Sequence, residues 1–452
     1  MTKNHAPPDT KNAPNDVEAL EKSNTSRIAK TSQKGKAIIS DILDDGTIVE
    51  TIYNPVRKKT NFCLYKDGKV QRKNSIVVHG KRHYPMNGGA DILTAGAVRF
   101  PSGVEEYDSF SALYAEIREF IHTYLEIPDD YEQIAAYYVM FSWVYNRFSE
   151  LAYLRALGDY GSGKSRFLQV IGSLCYKPIF ALGASSASPI FRLLSEVKGT
   201  LIFDEADLRF SDSASTIIKI LNAGFMKNMP ILRAESHNKS FHPKAFHVFG
   251  PKLIATREMF QGRATESRCF TNIMEPCLRT DIPLNLGEQF NEKVAMLQNK
   301  LLLFRFRNYH EINPQEIPRI QNIEPRLQQI VQPLLCIVPD ETHRQNILTF
   351  VAQFQKQLHA DRYNSREAFL LRMFIELPEE KPTIKMIVER AKCLSHGEIS
   401  FSYQKAGAII RNTFSLRSVR HEDGYRICKK QNAKQLIRQA QKWLGETLSM
   451  NS

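Results

Sequence analysis

The sequence predicts an α/β chain built on a parallel sheet, with a β-rich segment before it and helical, basic segments after it. Three observations predict this. From residue 151 of the 452-residue chain the pattern becomes strand–helix–strand, as in parallel sheets whose strands are joined by helices. GDYGSGKS (residues 158–165) has the spacing G-x-x-x-x-G-K-S/T at a strand-to-helix turn. GTLIFDEAD (residues 199–207) is an apolar strand ending in two acids, Asp204 and Glu205.

The segments follow in order. Residues 1–35 are rich in Lys, Asn, Ser, Thr and Pro and are predicted to be disordered, because they cannot bury enough apolar surface to offset ordering entropy. Residues 36–105 alternate short apolar runs with turn signals, and the Asp-Gly pairs at 45–46 and 67–68 predict hairpins in a small β-rich domain. No chemistry is legible in it. Residues 106–148 carry aromatic-rich helical spacing in SFSALYAEIREFIHTYLEI and DYEQIAAYYVMFSWVYNRF, and are expected to form a helical connector packed on the next domain. Residues 149–285 hold the parallel sheet, residues 286–360 read as helices, and residues 361–452 form a small, mixed, basic unit.

Composition narrows the class. Apolar and charged fractions of 42% and 24% fit a globular chain. No apolar run approaches the roughly 18 residues of a membrane helix, and the polar, Pro-rich start lacks an apolar signal core. A cytosolic protein with no membrane partner is the expectation. Seven dispersed cysteines, none at CxxC spacing, predict neither a disulfide framework nor a zinc site. Net charge is +13, and from residue 401 onward ten Lys/Arg face three acids. About half the excess therefore sits in the tail, which predicts a polyanion partner.

The chemistry concentrates in the sheet segment. The glycines Gly158, Gly161 and Gly163, with Asp159, Tyr160 and Ser162 between them, let backbone N–H groups converge on phosphate oxygens at a helix N-terminus. LAYLRAL precedes them as a strand, and Phe167, Val170, Ile171 and Leu174 mark one face of the helix that follows. Lys164 is expected to face the β- and γ-phosphates of ATP, and Ser165 to ligate Mg²⁺. Asp204, at the carboxyl edge of the sheet, would complete the metal shell, with Glu205 as general base for the attacking water. PKLIATRE (residues 251–258) is another apolar strand, ending in Thr256.

In this order the motifs resemble those of AAA+ ATPases. The resemblance covers residues 151–360, nearly half the chain, and implies a parallel-sheet P-loop core with a helical lid. It makes Thr256 the sensor 1 residue that orients the water. ATESRCFTNIME (264–275) resembles the segment that carries the arginine finger in clamp-loader-like members, which assigns Arg268 to the neighbouring subunit's γ-phosphate, with Arg263 as competitor. EPRLQQIVQPLL (324–335) resembles the sensor 2 helix, with Arg326 over the nucleotide. ATP, Mg²⁺ and self-association into a ring, a hexamer, are implied.

Two further segments point to DNA. An added hairpin within residues 229–250, with His237, Asn238 and Lys239 at its tip, resembles the pore hairpin of superfamily III and MCM helicases. In the tail, helices over 365–376, 383–393 and 402–414 precede a hairpin turning at Glu422-Asp423-Gly424, which is the winged-helix pattern. Lys405, Arg411, Arg417, Arg420 and Arg426 lie on its DNA-facing elements by that resemblance. The whole is similar to replicative helicases of phages, plasmids and genomic islands, for which other replication proteins would be further partners. A non-translocating initiator or loader is the first alternative, and a protein-remodelling ATPase whose winged helix binds a protein is the second.

Overall fold

Dipeptides with left-handed backbone shape the first part of the chain. Among strands β1 (Ala37–Ile38), β2 (Ser40–Ile42), β3 (Ile48–Asn54), β4 (Lys59–Lys66), β5 (Lys69–Lys73), β6 (Ile76–Val78) and β7 (Lys81–Pro85), two tight turns join neighbours. Asp67-Gly68 (φ 47° and 76°) joins β4 to β5, and His79-Gly80 (φ 48° and 74°) joins β6 to β7. Both central residues of each turn have positive φ, the geometry whose twist matches antiparallel strands. The strands form a four-stranded antiparallel sheet, β2-β3-β4-β5, and a three-stranded one, β1-β7-β6. Val49, Phe62, Leu64 and Ile76 make the small core beneath them.

The computed structural model describes residues 37–183, 185–204, 212–237, 240–260, 262–315, 319–396 and 398–445. The expected disordered segment 1–35, Glu205 and Lys239 lie outside these. The chain divides into two compact units, Met1–Ile317 and Pro318–Ser452.

After a short helix α1 (Asp91–Thr94) come α2 (Phe110–Tyr124) and α3 (Asp129–Ser142). The connector is a wall of the core. Every residue from Tyr131 to Ser142 is buried. The Tyr131 hydroxyl donates to the Phe270 carbonyl (2.7 Å), that of Tyr138 to the Ala152 carbonyl (3.0 Å), and the indole of Trp143 to the Leu174 carbonyl (2.9 Å). Buried aromatic side chains with polar tips find partners in this way.

The sheet region runs β8 (Tyr153–Leu157), α4 (Lys164–Leu174), β9 (Ile179–Leu182), α5 (Ala187–Val197), β10 (Leu201–Asp204), α6 (Asp212–Ala223), a hairpin of β11 (Ile231–His237) and β12 (Ser240–Phe246), then β13 (Lys252–Thr256), α7 (Arg263–Glu266) and β14 (Cys269–Ile273). The five sheet strands lie in the order β14-β8-β13-β10-β9, and all neighbours are parallel. Phe167, Val170, Ile171 and Leu174 of α4 are all buried, as their spacing predicts. The β11–β12 hairpin pairs from Ile231↔Phe246 to His237↔Ser240.

Helix α8 (Glu288–Asn308) was expected in the lid, but it belongs to the first unit. It is buried there at Leu297, Leu301, Leu302 and Phe304. The Gln298 amide donates to the Ser173 carbonyl at the end of α4 (2.6 Å). The guanidinium of Arg305, 2% exposed, donates to Glu50 of β3 (2.8 Å). Lys177 approaches the other Glu50 oxygen at 2.9 Å, and the Tyr176 hydroxyl donates to the carboxylate at 2.6 Å. Burial opposes charge on Glu50, but Lys177 and Arg305 hold its carboxyl below the usual carboxylate range.

The second unit contains α9 (Pro325–Leu335), α10 (Glu341–Tyr363), α11 (Arg366–Glu376), α12 (Ile384–Leu394) and α13 (Tyr403–Ala408), which runs into a π turn at Ile409–Thr413. The segment read as one lid, 286–360, is thus divided between the two units. Ser365, Thr383 and Ser402 cap α11, α12 and α13, each accepting from the backbone N–H three residues on. The hairpin of β15 (Val419–His421) and β16 (Gly424–Arg426) turns at Glu422-Asp423. A further helix, α14 (Ala433–Leu444), closes this unit's core, where Leu436, Trp443 and Leu444 join Leu371, Phe374, Ile387, Ile410 and Phe414.

Glu50→Gln leaves Lys177 and Arg305 buried without their counter-charge. Breaking a buried pair in this way costs about 3–5 kcal/mol. The variant should unfold at a clearly lower temperature than the parent protein. Equal thermal unfolding of the two would show that the carboxylate is not needed to hold β3 against α8.

Candidate nucleotide-binding site

The loop 158–163 leaves the carboxyl end of β8 and enters α4. Its geometry favours glycine for two reasons, close approach and positive φ. At Gly158 a Cβ would lie 2.7 Å from the Ser162 hydroxyl and 2.8 Å from the Met274 carbonyl. Gly163, the residue before α4, has φ 87°. Within the loop the Ser162 hydroxyl donates to the Asp159 carbonyl at 2.9 Å. Lys164 donates to the same carbonyl at 2.5 Å. Asp159, Tyr160 and Gly161 form the exposed outer rim.

Ser165, in the first turn of α4, donates to the Asp204 carboxylate at 2.6 Å. The two are 39 positions apart, and the parallel sheet brings them together because β10 and the loop both end on its carboxyl edge. A hydroxyl and a carboxylate at this spacing make a hard-oxygen donor pair suited to Mg²⁺. Glu205, the expected base, follows directly in sequence but lies outside the described residues.

Thr256 ends β13, the strand between β8 and β10. It pairs with Leu157, while Asp204 pairs with Ala255. Its carbonyl accepts from the Gly158 N–H at 3.2 Å. Its hydroxyl is buried without a hydrogen-bond partner among the described residues. A buried hydroxyl at the carboxyl edge, left without a protein partner, fits a water or phosphate oxygen as its acceptor or donor.

Sequence reasoning missed Arg257. It follows Thr256, and its guanidinium lies 5.9 Å from the centre of the Tyr160 ring. Partial burial lowers the pKa of Lys164, and the positive charge of Arg257 lowers it further, against the pull of Asp204 and Asp159. Two cations thus share the rim of one loop. The signal was the Thr-Arg pair at a strand end, visible in PKLIATRE.

The arginine expected to act as a finger is placed differently. The Arg268 carbonyl accepts from the Tyr153 N–H at 2.8 Å, at the amino edge of the sheet and so opposite the loop. Its guanidinium is 8% exposed, donates to the Asn222 side chain at 2.7 Å and stacks on Phe225 at 3.7 Å. The side chain is committed inside its own subunit, where it ties the end of α6 to the start of β14. A finger role would require this side chain to leave Asn222 and Phe225. The Arg263 side chain lies outside the described residues. Nearby, Arg155 of β8 is fully buried, ion-paired to Glu266 and 5.0 Å from the centre of the Phe260 ring. It anchors the segment between β13 and β14.

Arg326 lies in the first turn of α9, in the second unit, where burial lowers its pKa against the pull of Glu324. Of the residues expected to meet DNA, Lys405, Arg411, Arg417 and Arg420 are exposed and Arg426 is half-buried. Arg411 lies 5.4 Å from the centre of the Tyr425 ring, and Arg426 is ion-paired to Asp423 at 2.5 Å. Lys429, counted in the basic excess, is buried and donates to the carbonyls of Ile375 and Leu377 at the end of α11.

No protein-family model matches the chain, and no curated protein matches it. Among solved structures, the apo C-terminal region of NrS-1 is 8% identical, with a TM-score of 0.34, over 84% of this chain and 96% of that one. JCV helicase is 14% identical, with a TM-score of 0.27, over 64% and 67%. The Aeropyrum pernix ORC1 protein in complex with DNA is 10% identical, with a TM-score of 0.18, over 76% and 95%. At these scores the likenesses carry no argument about activity. The functional reading rests on the loop, the Ser165–Asp204 contact and the strand that carries Thr256.

Proposed function

We propose that the chain is an ATP-hydrolysing motor of the AAA+ type that acts on DNA, a ring-forming helicase. The observation that carries the ATPase part is the 2.6 Å contact between Ser165 and Asp204, beside Lys164 at the start of α4. In this reading the N–H groups of residues 159–165 and the ammonium of Lys164 bind the β- and γ-phosphates. Ser165 and Asp204 would hold Mg²⁺, which when bound neutralises phosphate charge. The Thr256 hydroxyl orients the attacking water, and Glu205 takes its proton.

The DNA part draws on the tail. Three capped helices followed by a two-stranded hairpin support a winged helix, with Lys405, Arg411, Arg417, Arg420 and Arg426 as phosphate contacts. The β11–β12 hairpin would meet DNA in the ring, with Lys239, which lies between its two strands in sequence, as the expected contact. The contact between subunits would come from the segment that holds Arg263 and Arg268, and Arg326 would report lid position.

Three nucleotide-site variants test this reading together. Lys164→Ala should weaken ATP binding roughly 10- to 100-fold, since hydrogen bonds to charged groups contribute about 1.5–3 kcal/mol. Glu205→Gln should keep binding and lose about 10²–10⁴ in turnover. With ATP it should also sediment as a ring, and a monomer under those conditions would remove the ring from the proposal. Thr256→Val replaces with a methyl a hydroxyl that lacks a partner among the described residues. It should lower kcat roughly 10-fold, leave KM unchanged and cost no thermal stability. A Glu205→Gln protein with normal turnover would overturn the assignment of the base.

The tail has its own test. Arg417→Ala/Arg420→Ala should flatten the dependence of log K on log salt for duplex DNA by about 2, since each phosphate contact contributes about −0.9 to the slope. Anisotropy across a salt series reads this directly. An unchanged slope would favour a tail that binds protein.

A further inference from the structure

The β-rich segment, in which no chemistry is legible from sequence, carries a dense run of positive charge. Over residues 57–83 nine lysines and arginines face one acid, Asp67. Strand β5 is an edge strand, and all five of its side chains are exposed. Register sorts them. Lys69, Gln71 and Lys73 pair with Lys66, Leu64 and Phe62 of β4, so they share the face that carries the small core.

On that face β4, β5 and the β6–β7 hairpin bound a cleft of about 520 Å³. Lys66, Lys69 and Lys73 enter it from one sheet and Arg82 from the other, with Gln71 and Ser75 as neutral polar groups between them. One carboxylate, Asp45, lines it, and Lys66 engages that group at 2.6 Å. The hydrogen bond from Lys66 holds the Asp45 carboxyl well below its usual range. Lys69, Lys73 and Arg82 have no carboxylate within ion-pair distance among the described residues. Edge lysines alone would serve to discourage strand pairing, but that role needs no convergence of cations from two sheets.

We propose that this cleft binds a single strand of DNA through its phosphodiester backbone, with Lys69, Lys73 and Arg82 as the phosphate contacts. The reasons are charge, size and shape. Lys69 and Lys73 are four residues apart, about 13 Å along the strand, so they meet separate phosphates of an extended chain. The apolar floor of Leu64, Ile76 and Val77 offers a surface for sugars and bases. A cleft of this volume takes a nucleotide or two of one strand, with the neighbouring phosphates along its cationic rim. The proposal rests on the reading of the chain as acting on DNA, and it adds a second contact, independent of the tail, on the unit that holds the nucleotide site.

The test uses the full chain, a fluorescent 20-nucleotide thymidine strand and a 20-base-pair duplex. Each phosphate contact to a single strand contributes about −0.7 to the slope of log K against log salt. Lys69→Ala/Lys73→Ala/Arg82→Ala should weaken single-strand binding and flatten its slope by about 2, with a much smaller change for the duplex. Lys69→Arg/Lys73→Arg should keep the parent slope, which ties the effect to charge. Thermal unfolding and binding of a fluorescent ATP analogue should match the parent protein. A triple variant that is folded and binds the single strand with unchanged slope overturns the proposal, as does an equal loss for strand and duplex. Absence of ATP-analogue binding by the parent protein would sink the motor reading, while a triple-variant effect on the single strand would still uphold the cleft.

Discussion

A single carboxylate constrains the first unit. Glu50 sits in the middle of β3, 1% exposed, between Lys177 just before β9 and Arg305 near the end of α8. Charges removed from water are tolerated only when paired and hydrogen-bonded. The three side chains, with the Tyr176 hydroxyl, therefore accept few arrangements of the elements that bear them. The N-terminal sheet, the edge of the parallel sheet and α8 are fixed together. This is why the N-terminal strands and α8 belong to one unit with the parallel sheet, although sequence patterning divides them into separate segments.

The parallel sheet then places the chemistry. Inserting β13 between β8 and β10 sets Thr256 between the glycine-rich loop that follows β8 and the strand that ends in Asp204. Helix α3 braces the same strands through Tyr131 and Tyr138, whose hydroxyls reach carbonyls of β14 and of the chain entering β8. At the amino edge, Lys252 donates to the carbonyls of Gly224, Val248 and Gly250, and Arg268 holds Asn222. Rigid elements behind a catalytic edge keep its groups in register.

Legibility followed the range of the interactions. The phosphate loop, the Asp-Gly turn at 67–68 and the caps Ser365, Thr383 and Ser402 are local, and their residue types state their backbone geometry. Helix α14 is legible in its spacing, because Leu436, Ala440, Trp443 and Leu444 recur at helical intervals among Lys and Arg. The pairing of Glu50 with Arg305 spans 255 positions, and nothing local encodes it. The orientation of Arg268 depends on Asn222 and Phe225, which no motif includes. The basic run at 57–83 was visible as composition, yet its convergence on one cleft needed the pairing of β4 with β5.

The two oxygens of Thr256 stand in different situations. Its carbonyl holds the Gly158 amide, while its hydroxyl is buried without a hydrogen-bond partner among the described residues. The end of the strand and the start of the loop therefore meet at one peptide group. Exchange of the Gly158 amide hydrogen with solvent reports the opening of this single link. That amide is a native probe, needing no label, of whether occupancy of the site is felt by the centre of the sheet.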